Sequence, residues 1–379
     1  MNSRQTIFTV CIFGAALIMN CSKSSSTVTG VQTSLQGSLI LATTVSPDYS
    51  EGNFNVAGAD GQGVDSNLLA LGTDDIVSTY GGNVYILERS KGNVIKLSGL
   101  SSSKATVAYQ VNVGKGVDPQ QIAFVSNTKA YITQYESKNL LIFNPSTGAV
   151  SGTIDLGRFD AYAGTDSAVD TPYMSPAIVA GNYLYVGCQR LKVVGGYPEP
   201  ADSSCIAVIS TSNDSIVNKI MLLKKNPYSM DTVGGKLYVA CPGAYYVYTD
   251  GDVECIDLAS RTNTGAVILE SQLSGDLGAI KMASPTSGYI TAGINGTSYA
   301  NEVFPFNPAA KTVGSPIEGI GNASGVFGGV ICSGDTLYVA DQSSTAPGIV
   351  SVNMATNTKI GQTTAFHMLP YSLAYLSNQ

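Results

Sequence analysis

The chain has 379 residues, only 12% of them are charged, and its formal net charge is −7. This length suits one large all-β domain or two ordinary domains, and an acidic chain without basic clusters is not expected to bind nucleic acid, because phosphate binding needs Lys and Arg. There are 41 Gly and 21 Tyr residues but no Trp and a single His, a composition typical of short strands joined by tight turns.

The N-terminus has the features of a targeting signal. Arg4 precedes the apolar stretch "TIFTVCIFGAALIM", which is too short to span a bilayer and ends just before Cys21. The cysteine and the Ser-rich segment after it resemble a bacterial lipoprotein signal, with Asn20 in place of the usual small residue. The resemblance implies cleavage of residues 1–20, lipidation of Cys21, a tether over residues 21–34 and anchoring in the cell envelope, with the outer membrane expected. Ordinary secretion is the alternative.

The first predicted strands after the tether are "SLILAT", "NFNVAG" and "NLLALG". The first of these recurs along the chain as "NVYILE", "KAYITQ", "YLYVGC", "KLYVAC", "GYITAG" and "TLYVAD", with a tyrosine in each later copy. The repeated positions are Ile40, Tyr85, Tyr131, Tyr185, Tyr238, Tyr289 and Tyr338. Their spacing of about 45–54 residues is close to the length of a propeller blade.

Each repeat divides into four strand-like pieces, which we label a to d. One repeat reads "YSMDTVGG", "KLYVAC", "VECIDLAS" and "TGAVILES", runs of the length and apolar pattern of strands. The chain begins with pieces b, c and d and ends with a lone piece a, "PYSLAYL". The sequence therefore predicts an all-β, seven-bladed β-propeller of four-stranded blades over residues 35–379, whose last blade combines both termini and closes the ring.

Several motifs carry a resemblance to a known family. The "LYVA" strands, the "FNPSTG" turn at residues 143–148 and the openings "PQQIAF" and "PYSMDT" resemble the YVTN-type β-propeller family, exported bacterial lipoproteins included. The resemblance covers nearly the whole mature chain and implies the same architecture. It implies binding or scaffold roles for most members and an enzymatic role for a few.

The links between strands divide into short and long sets. In a propeller the b→c and d→a links lie on one face, and the a→b and c→d links lie on the other. The long links all belong to the first set: "GRFDAYAGTDSAVDTP", "QRLKVVGGYPEPADSS", "PGAYYVYTDGDVE" and "GINGTSYANE". Because binding residues concentrate in loops on rigid scaffolds, this face is the predicted functional face.

Acidic residues cluster in two of these long links. They are Asp160, Asp166 and Asp170 in one, and Asp250, Asp252 and Glu254 in the other. Oxygen-rich clusters can bind Ca²⁺, but no EF-hand-type loop is present, and acids in turns are usually solvated. Solvated turn acids are therefore the preferred interpretation, with no cofactor or metal expected and Ca²⁺ as the weaker alternative.

Five cysteines follow Cys21. Cys188 and Cys241 each end a predicted strand b, and Cys205 and Cys255 each lie near the start of the following strand c. Neighbouring antiparallel strands bring such positions within disulfide reach, which predicts the disulfides Cys188–Cys205 and Cys241–Cys255 and a free, buried Cys332. Five buried free thiols are the alternative.

A Pro-Tyr pair opens three predicted strands a. Tyr173, Tyr228 and Tyr371 each follow the proline, and Gln120 holds the same place in another blade. Since strands a surround the propeller axis, we expect these four residues to line the mouth of the central channel, with His367 beside them. In the alternative interpretation the tyrosine rings only pack between blades.

These features favour a binding protein over an enzyme. Tyrosine combines flat apolar area with a hydroxyl, which suits a small molecule, a glycan or a protein partner, and the neighbouring acids favour neutral or cationic ligands. A hydrolase or lyase would have to use His367 with loop acids, because it is the only histidine. A purely structural envelope protein is the third alternative.

Overall fold

The structure, a computed structural model, describes residues 31–165, 170–200, 202–273, 275–293 and 300–377. These residues are nearly all in β strands and turns, and the strands form seven four-stranded blades of a β-propeller. The predicted fold class is therefore confirmed. The predicted signal segment and Cys21 lie outside the described residues. Among those that are described, no helix has the length and apolar character to cross a bilayer.

The strands are numbered in chain order. The first eight are β1 (Gln32–Thr33), β2 (Leu39–Val45), β3 (Gly52–Gly58), β4 (Val64–Leu71), β5 (Ile76–Tyr80), β6 (Asn83–Glu88), β7 (Asn93–Leu100) and β8 (Ala105–Asn112). The next eight are β9 (Pro119–Ser126), β10 (Lys129–Gln134), β11 (Asn139–Asn144), β12 (Ala149–Asp155), β13 (Met174–Ala180), β14 (Tyr183–Cys188), β15 (Lys192–Val194) and β16 (Tyr197–Glu199).

The second half of the chain continues the same pattern. It contains β17 (Cys205–Ser210), β18 (Ile216–Met221), β19 (Ser229–Val233), β20 (Lys236–Cys241), β21 (Asp252–Asp257), β22 (Thr262–Leu269), β23 (Leu277–Ser284) and β24 (Ser287–Gly293). The last strands are β25 (Asn301–Asn307), β26 (Thr312–Val313), β27 (Val330–Ser333), β28 (Thr336–Asp341), β29 (Gly348–Asn353), β30 (Thr358–Lys359), β31 (Thr364–Ala365) and β32 (Leu369–Leu376).

The blades follow one another along the chain. Blades 1 and 2 are β5–β8 and β9–β12, blade 3 is β13, β14, β17 and β18, and blades 4 to 6 are β19–β22, β23–β26 and β27–β30. The hairpin β15–β16 is an insertion in blade 3. Blade 7 joins β32 to β2, β3 and β4, and the β2–β32 ladder runs from Leu39 opposite Leu376 to Val45 opposite Leu369. The termini therefore close the ring, as predicted.

The repeated tyrosines of the b strands are buried. In four of them the hydroxyl donates a hydrogen bond to the c→d turn of the following blade. Tyr85 donates to Pro145 O (3.5 Å), Tyr289 to Met354 O (3.2 Å), Tyr338 to Ala59 O (3.0 Å), and Tyr131 donates to the Asp214 carboxylate. A tyrosine suits this position because its ring fills the space between blades while its hydroxyl satisfies a turn acceptor.

The two faces differ in the length of their links. The a→b and c→d links contain two to five residues each, and we call the face that they form the short-link face. The opposite, long-link face carries the b→c and d→a links, which reach 18 residues at 156–173 and 16 residues at 189–204 and 314–329. The predicted separation of short and long links is therefore observed.

The described chain begins at the short-link face. The Val31 amide donates to Gly82 O (2.8 Å) in the a→b link of blade 1, and β1 pairs in parallel with Gly99 and Leu100 at the end of β7. Val31 is itself buried in the core of blades 7 and 1. The described chain therefore begins on the face away from the long links.

The cysteine predictions had different outcomes. All five described cysteines are free thiols. Cys188 lies directly opposite Cys205 in the β14–β17 ladder, so the expected alignment is present without the bond.

The predicted Cys241–Cys255 pair is wrong. The ladder places Cys241 opposite Asp252 and Cys255 opposite Tyr238, an offset of three residues or about 10 Å along the strand, which is beyond disulfide reach. The two thiols also lie on different sides of blade 4, with Cys241 packed toward blade 3 and Cys255 toward blade 5. The error arose because β21 begins at Asp252, three residues before Cys255. Cys332 is half-buried rather than fully buried.

Candidate binding face

The residues that follow the strand-opening prolines all lie on the long-link face. Gln120 and Tyr371 lie near the starts of β9 and β32, while Tyr173 and Tyr228 each immediately precede the first residue of β13 and β19. These are the inner strands of blades 2, 7, 3 and 4. The proline therefore sets the direction of the chain as it enters an inner strand, where no ladder donor is needed.

Arg89, which the sequence analysis did not identify, occupies the centre of this region. Its Nη2 donates to Gln120 Oε1 (3.0 Å), and its Nη1 and Nε lie 3.6 Å from carboxylate oxygens of Asp74 and Asp118. Gln120 in turn donates to Asp118 Oδ2 (2.8 Å). The side chain of Arg89 is only 16% exposed, and two carboxylates neutralise it.

Two of the predicted tyrosines interact electrostatically with Arg89. Burial works to lower the pKa of Arg89, but Asp118, Tyr371, Asp74 and Tyr228 outweigh it and raise the value. For Tyr371, in contrast, burial raises the pKa to about 12, although the charge of Arg89 opposes the increase. Tyrosines from blades 4 and 7 and an arginine from blade 1 are therefore close enough to interact across the axis.

Aromatic contacts complete this connection. Tyr228 stacks on Phe327 with ring centroids 5.9 Å apart and planes 20° apart. Phe327 belongs to the long link before blade 6 and packs in the same apolar cluster as Tyr371. Burial raises the pKa of Tyr228 strongly, and Tyr245 and Tyr371 add to the increase. Rings from blade 4, from blade 7 and from the link before blade 6 therefore pack together at the mouth of the channel.

Tyr173 lies deeper than the other two tyrosines. It is 3% exposed, has a left-handed backbone with φ of +53°, and meets Tyr135 edge to face at 5.2 Å. Burial raises the pKa of Tyr135, and Tyr245 contributes next, so Tyr135 also lies near the blade 4 link. Tyr173 is thus buried beneath this surface, with the ring of the half-buried Tyr135 against it.

His367 does not join this group. Its side chain is exposed in the link between β31 and β32, and within the described residues it makes no hydrogen bond or ion pair. The adjacent Met368 accepts a hydrogen bond from Asn53 Nδ2 (3.2 Å), which places this link above the middle strands of blade 7. The structure therefore shows no contact between the single histidine and the predicted tyrosines.

The acidic residues of the long links are not uniformly solvated. The solvated interpretation is wrong for Asp252 and Glu254, which are 1% and 0% exposed. The Asp250 carboxylate accepts a hydrogen bond from the Ala244 amide (3.2 Å), and the Asp170 carboxylate lies 3.9 Å from Lys138 Nζ. Asp160 is half-buried, and Asp166 lies outside the described residues.

The fold resembles known structures, although the sequence matches no known family model. No protein-family model and no curated protein matches the sequence. Among solved structures, a protein from Lactobacillus plantarum superposes with a TM-score of 0.62 at 11% identity, covering 91% of this chain and 100% of its own. A candidate 6-phosphogluconolactonase from Bacteroides uniformis reaches 0.61 at 13% identity, covering 90% and 100%. AztD from Citrobacter koseri reaches 0.53 at 10% identity, covering 91% and 99%. These similarities establish the fold alone.

Exposed aromatic side chains mark the rim of the same face. Among the described residues, the tyrosines with the most exposed side chains are Tyr49 (54%), Tyr197 (75%), Tyr245 (53%) and Tyr246 (70%). All four lie in b→c links, in blades 7, 3 and 4. The other exposed large apolar residues are aliphatic. The long-link face therefore carries a rim of exposed tyrosines in addition to the packed rings around Tyr228.

A positional signal could have found the residues that sequence reasoning missed. Arg89 and Tyr135 each come directly after a b strand, as does Gln189, which donates to Pro227 O (3.3 Å) next to Tyr228. The residue after strand b thus lies beside the start of a neighbouring inner strand. The repeat contained this signal, but Phe327 lies in a long irregular link and had none.

Proposed function

We propose that this chain is an exported binding protein of the cell envelope, whose long-link face binds a neutral small molecule, a glycan or a protein partner through tyrosine side chains. The observation that carries the proposal is the unequal distribution of tyrosines. The exposed rim tyrosines Tyr49, Tyr197, Tyr245 and Tyr246 all lie on the long-link face, above the packed group around Tyr228 and Tyr371.

The state of the tyrosine hydroxyls supports this role. Neither Tyr228 nor Tyr371 donates a hydrogen bond from its hydroxyl to another described residue, although both rings are half-buried. A half-buried hydroxyl without a protein partner can bond a ligand while the ring supplies apolar contact area. Such a pairing suits sugars and protein surfaces alike.

Charge favours a neutral or cationic ligand over an anion. Arg89, the cation at the centre of the mouth, is already flanked by Asp74 and Asp118, and the whole chain carries a net charge of −7. An anion would have to displace these carboxylates and approach an acidic surface.

Lipid anchoring at Cys21 belongs to the same proposal, and the face on which the described chain begins supports it. Val31 joins the propeller on the short-link face, and nine residues lie between it and Cys21. An acyl group on Cys21 would therefore hold the short-link face toward the membrane and leave the tyrosine rim directed away from it. Membership of the YVTN-type propellers is proposed with it, on the repeated "LYVA" strands.

The enzymatic alternative has less support from the residues. A neighbour in structure is a candidate 6-phosphogluconolactonase, but the single histidine of this chain is exposed and without a polar partner among the described residues. A hydrolase or lyase would need His367 beside loop acids, an arrangement that these residues do not form.

The binding function can be tested with a glycan array and a pull-down from envelope extract. The variant Tyr197→Ala/Tyr245→Ala/Tyr246→Ala should lose the captured species, because it removes the rim. The matched control Val150→Ala/Val217→Ala/Ile360→Ala, which removes exposed aliphatic side chains from or beside outer strands, should retain it. Equal capture by both variants would refute the role of the face, and no capture by the wild type would favour the structural alternative.

Anchoring needs its own test. Membrane partitioning of the full chain should fall strongly in a Cys21→Ser variant, whereas a Cys11→Ser variant should partition like the wild type. Unchanged partitioning of Cys21→Ser would rule out the lipid anchor without affecting the binding proposal.

A further inference from the structure

Cys241, Asp252 and Glu254 form a compact buried cluster in blade 4. Cys241 ends β20 and lies directly opposite Asp252, the first residue of β21. Glu254 follows two residues later and so projects from the same side of the strand. The thiol sulfur and one oxygen of each carboxylate lie within 4.8 Å of one another, and all three side chains are buried.

The two carboxylates of the cluster differ in the hydrogen bonds that the protein donates to them. Glu254 accepts hydrogen bonds from the backbone amides of Leu223 (2.9 Å) and Lys224 (2.8 Å) and from the Asn263 side chain, which hold it in place. Asp252 is 1% exposed, and its Oδ1 has no hydrogen-bond partner. A buried, unpartnered carboxylate oxygen is costly, and this one belongs to a side chain within reach of the sulfur and of Glu254.

The charge of the cluster is also poorly balanced. Glu270, 0% exposed, is close enough to add to the repulsion on Asp252, and Lys224 is the cation that acts on all three members. The buried cluster therefore gathers three acidic side chains with one nearby lysine, and a bound cation would balance their charge.

We propose that Cys241, Asp252 and Glu254 bind a divalent transition-metal ion, with Zn²⁺ the best fit. A thiolate with carboxylates suits Zn²⁺ and not Ca²⁺, which takes six to eight oxygen ligands. On binding, the proton of the Cys241 thiol and any proton shared by the carboxylates leave to solvent. Three protein ligands leave one tetrahedral position for water or for a group of a ligand.

The position of this site links it to the candidate binding face without depending on it. The link 242–251 that joins the ligands Cys241 and Asp252 also carries the exposed Tyr245 and Tyr246. A bound ion would tie the two ends of this link together. The inference rests on the cluster alone, so loss of metal binding and loss of ligand capture are separate outcomes.

The test is metal titration of the untagged, EDTA-treated full chain. Native mass spectrometry should show one Zn²⁺ per chain, and Co²⁺ should produce a thiolate-to-metal charge-transfer band. Both signals should disappear in Cys241→Ser. In the isosteric Asp252→Asn the affinity for the metal should fall at least tenfold. The matched control Cys332→Ser, on another blade, should bind like the wild type.

Three results would overturn the proposal. They are no Zn²⁺ binding by the wild type, Co²⁺ binding without a thiolate band, or binding that survives Asp252→Asn and Cys241→Ser unchanged. Because Cys241→Ser can impair folding, far-ultraviolet circular dichroism is recorded for each variant. The wild-type Co²⁺ spectrum shows whether a thiolate binds the metal, and Asp252→Asn, which keeps every cysteine, shows whether that thiolate lies in this cluster. A tighter response to Ca²⁺ than to Zn²⁺ would also contradict the assignment.

Discussion

The same residue type plays different roles on the two faces of this propeller. Near the short-link face, the repeated tyrosines are buried between blades, and those such as Tyr289 donate their hydroxyls to the next blade's turn. On the long-link face, Tyr228 and Tyr371 stack or pack with other rings, and their hydroxyls have no partner among the described residues. The difference shows that local spacing alone does not give a tyrosine its role. What decides it is whether a neighbouring turn supplies an acceptor.

The largest expected effect is a loss of stability when a tyrosine near the short-link face is removed. Tyr131→Ala should lower the free energy of unfolding by about 3–5 kcal/mol, because it opens a cavity between blades 2 and 3 and removes the hydrogen bond to Asp214. Tyr131→Phe should cost about 1.5–3 kcal/mol, since it loses only the bond to a charged acceptor. Urea unfolding measures both, and equal stability of Tyr131→Phe and the wild type would show that the hydroxyl contributes nothing.

The next effect concerns the base of a long link. Cys188 and Cys205 are aligned at the two ends of the 16-residue link 189–204, so mild oxidation should join them and raise stability by about 3 kcal/mol. Non-reducing peptide mapping should find this bond, while Cys241 and Cys255 remain open to alkylation after denaturation. A Cys188→Ser variant is the control and should show no change in melting temperature on oxidation. A Cys241–Cys255 peptide would contradict the observed register.

The pH dependence of stability should have opposite signs on the two faces. On the long-link face, Asp75 is 1% exposed, and burial raises its pKa to about 7, against a hydrogen bond from Gly72 and with repulsion from Glu88 and Asp74. A folded pKa above the unfolded value gives stability that is complete below pH 4 and is lost as the pH rises through 7. The free energy of unfolding of Asp75→Asn should therefore exceed that of the wild type by about 1–3 kcal/mol at pH 8 and equal it at pH 4.

Asp257 on the short-link face is the matched control for this measurement. The hydrogen bond from Lys236 (2.6 Å) lowers its pKa, so its stabilisation is present at neutral pH and is lost as the pH falls through the folded value. Asp257→Asn should thus be less stable than the wild type at pH 7 and approach it in acid. Curves of the same sign for both variants would contradict the contrast between the faces.

The smallest effect sharpens the comparison on the long-link side. Tyr245→Ala/Tyr246→Ala should change the free energy of unfolding by less than about 0.5 kcal/mol, because both side chains are exposed and surface substitutions rarely matter to stability. Urea unfolding beside Tyr131→Ala checks this. A loss of about 2 kcal/mol or more would mean that the rim tyrosines are structural, as on the other face.

Parts of the candidate site were readable from the sequence, and parts were not. The Pro-Tyr pairs located Tyr228 and Tyr371 because their place in the repeat is the same in each blade. His367 was expected beside them because it precedes the same inner strand, but the irregular link holding it crosses blade 7 elsewhere. Arg89 was missed because a lone arginine after a strand looks like any surface charge until its partners from other blades are known.

The sequence by itself determined the number of blades, the division into short and long links and the closure of the ring. These depend on features that every repeat contains, namely a buried strand b with its tyrosine and tight turns on either side. Only the tertiary structure decided the partner of Cys241 and the packing of the channel mouth. The facing residue depends on where β21 begins after an irregular link, and the mouth depends on contacts between residues about 100 positions apart, such as Tyr228 and Phe327. Neither of these two features leaves a periodic signal in the sequence.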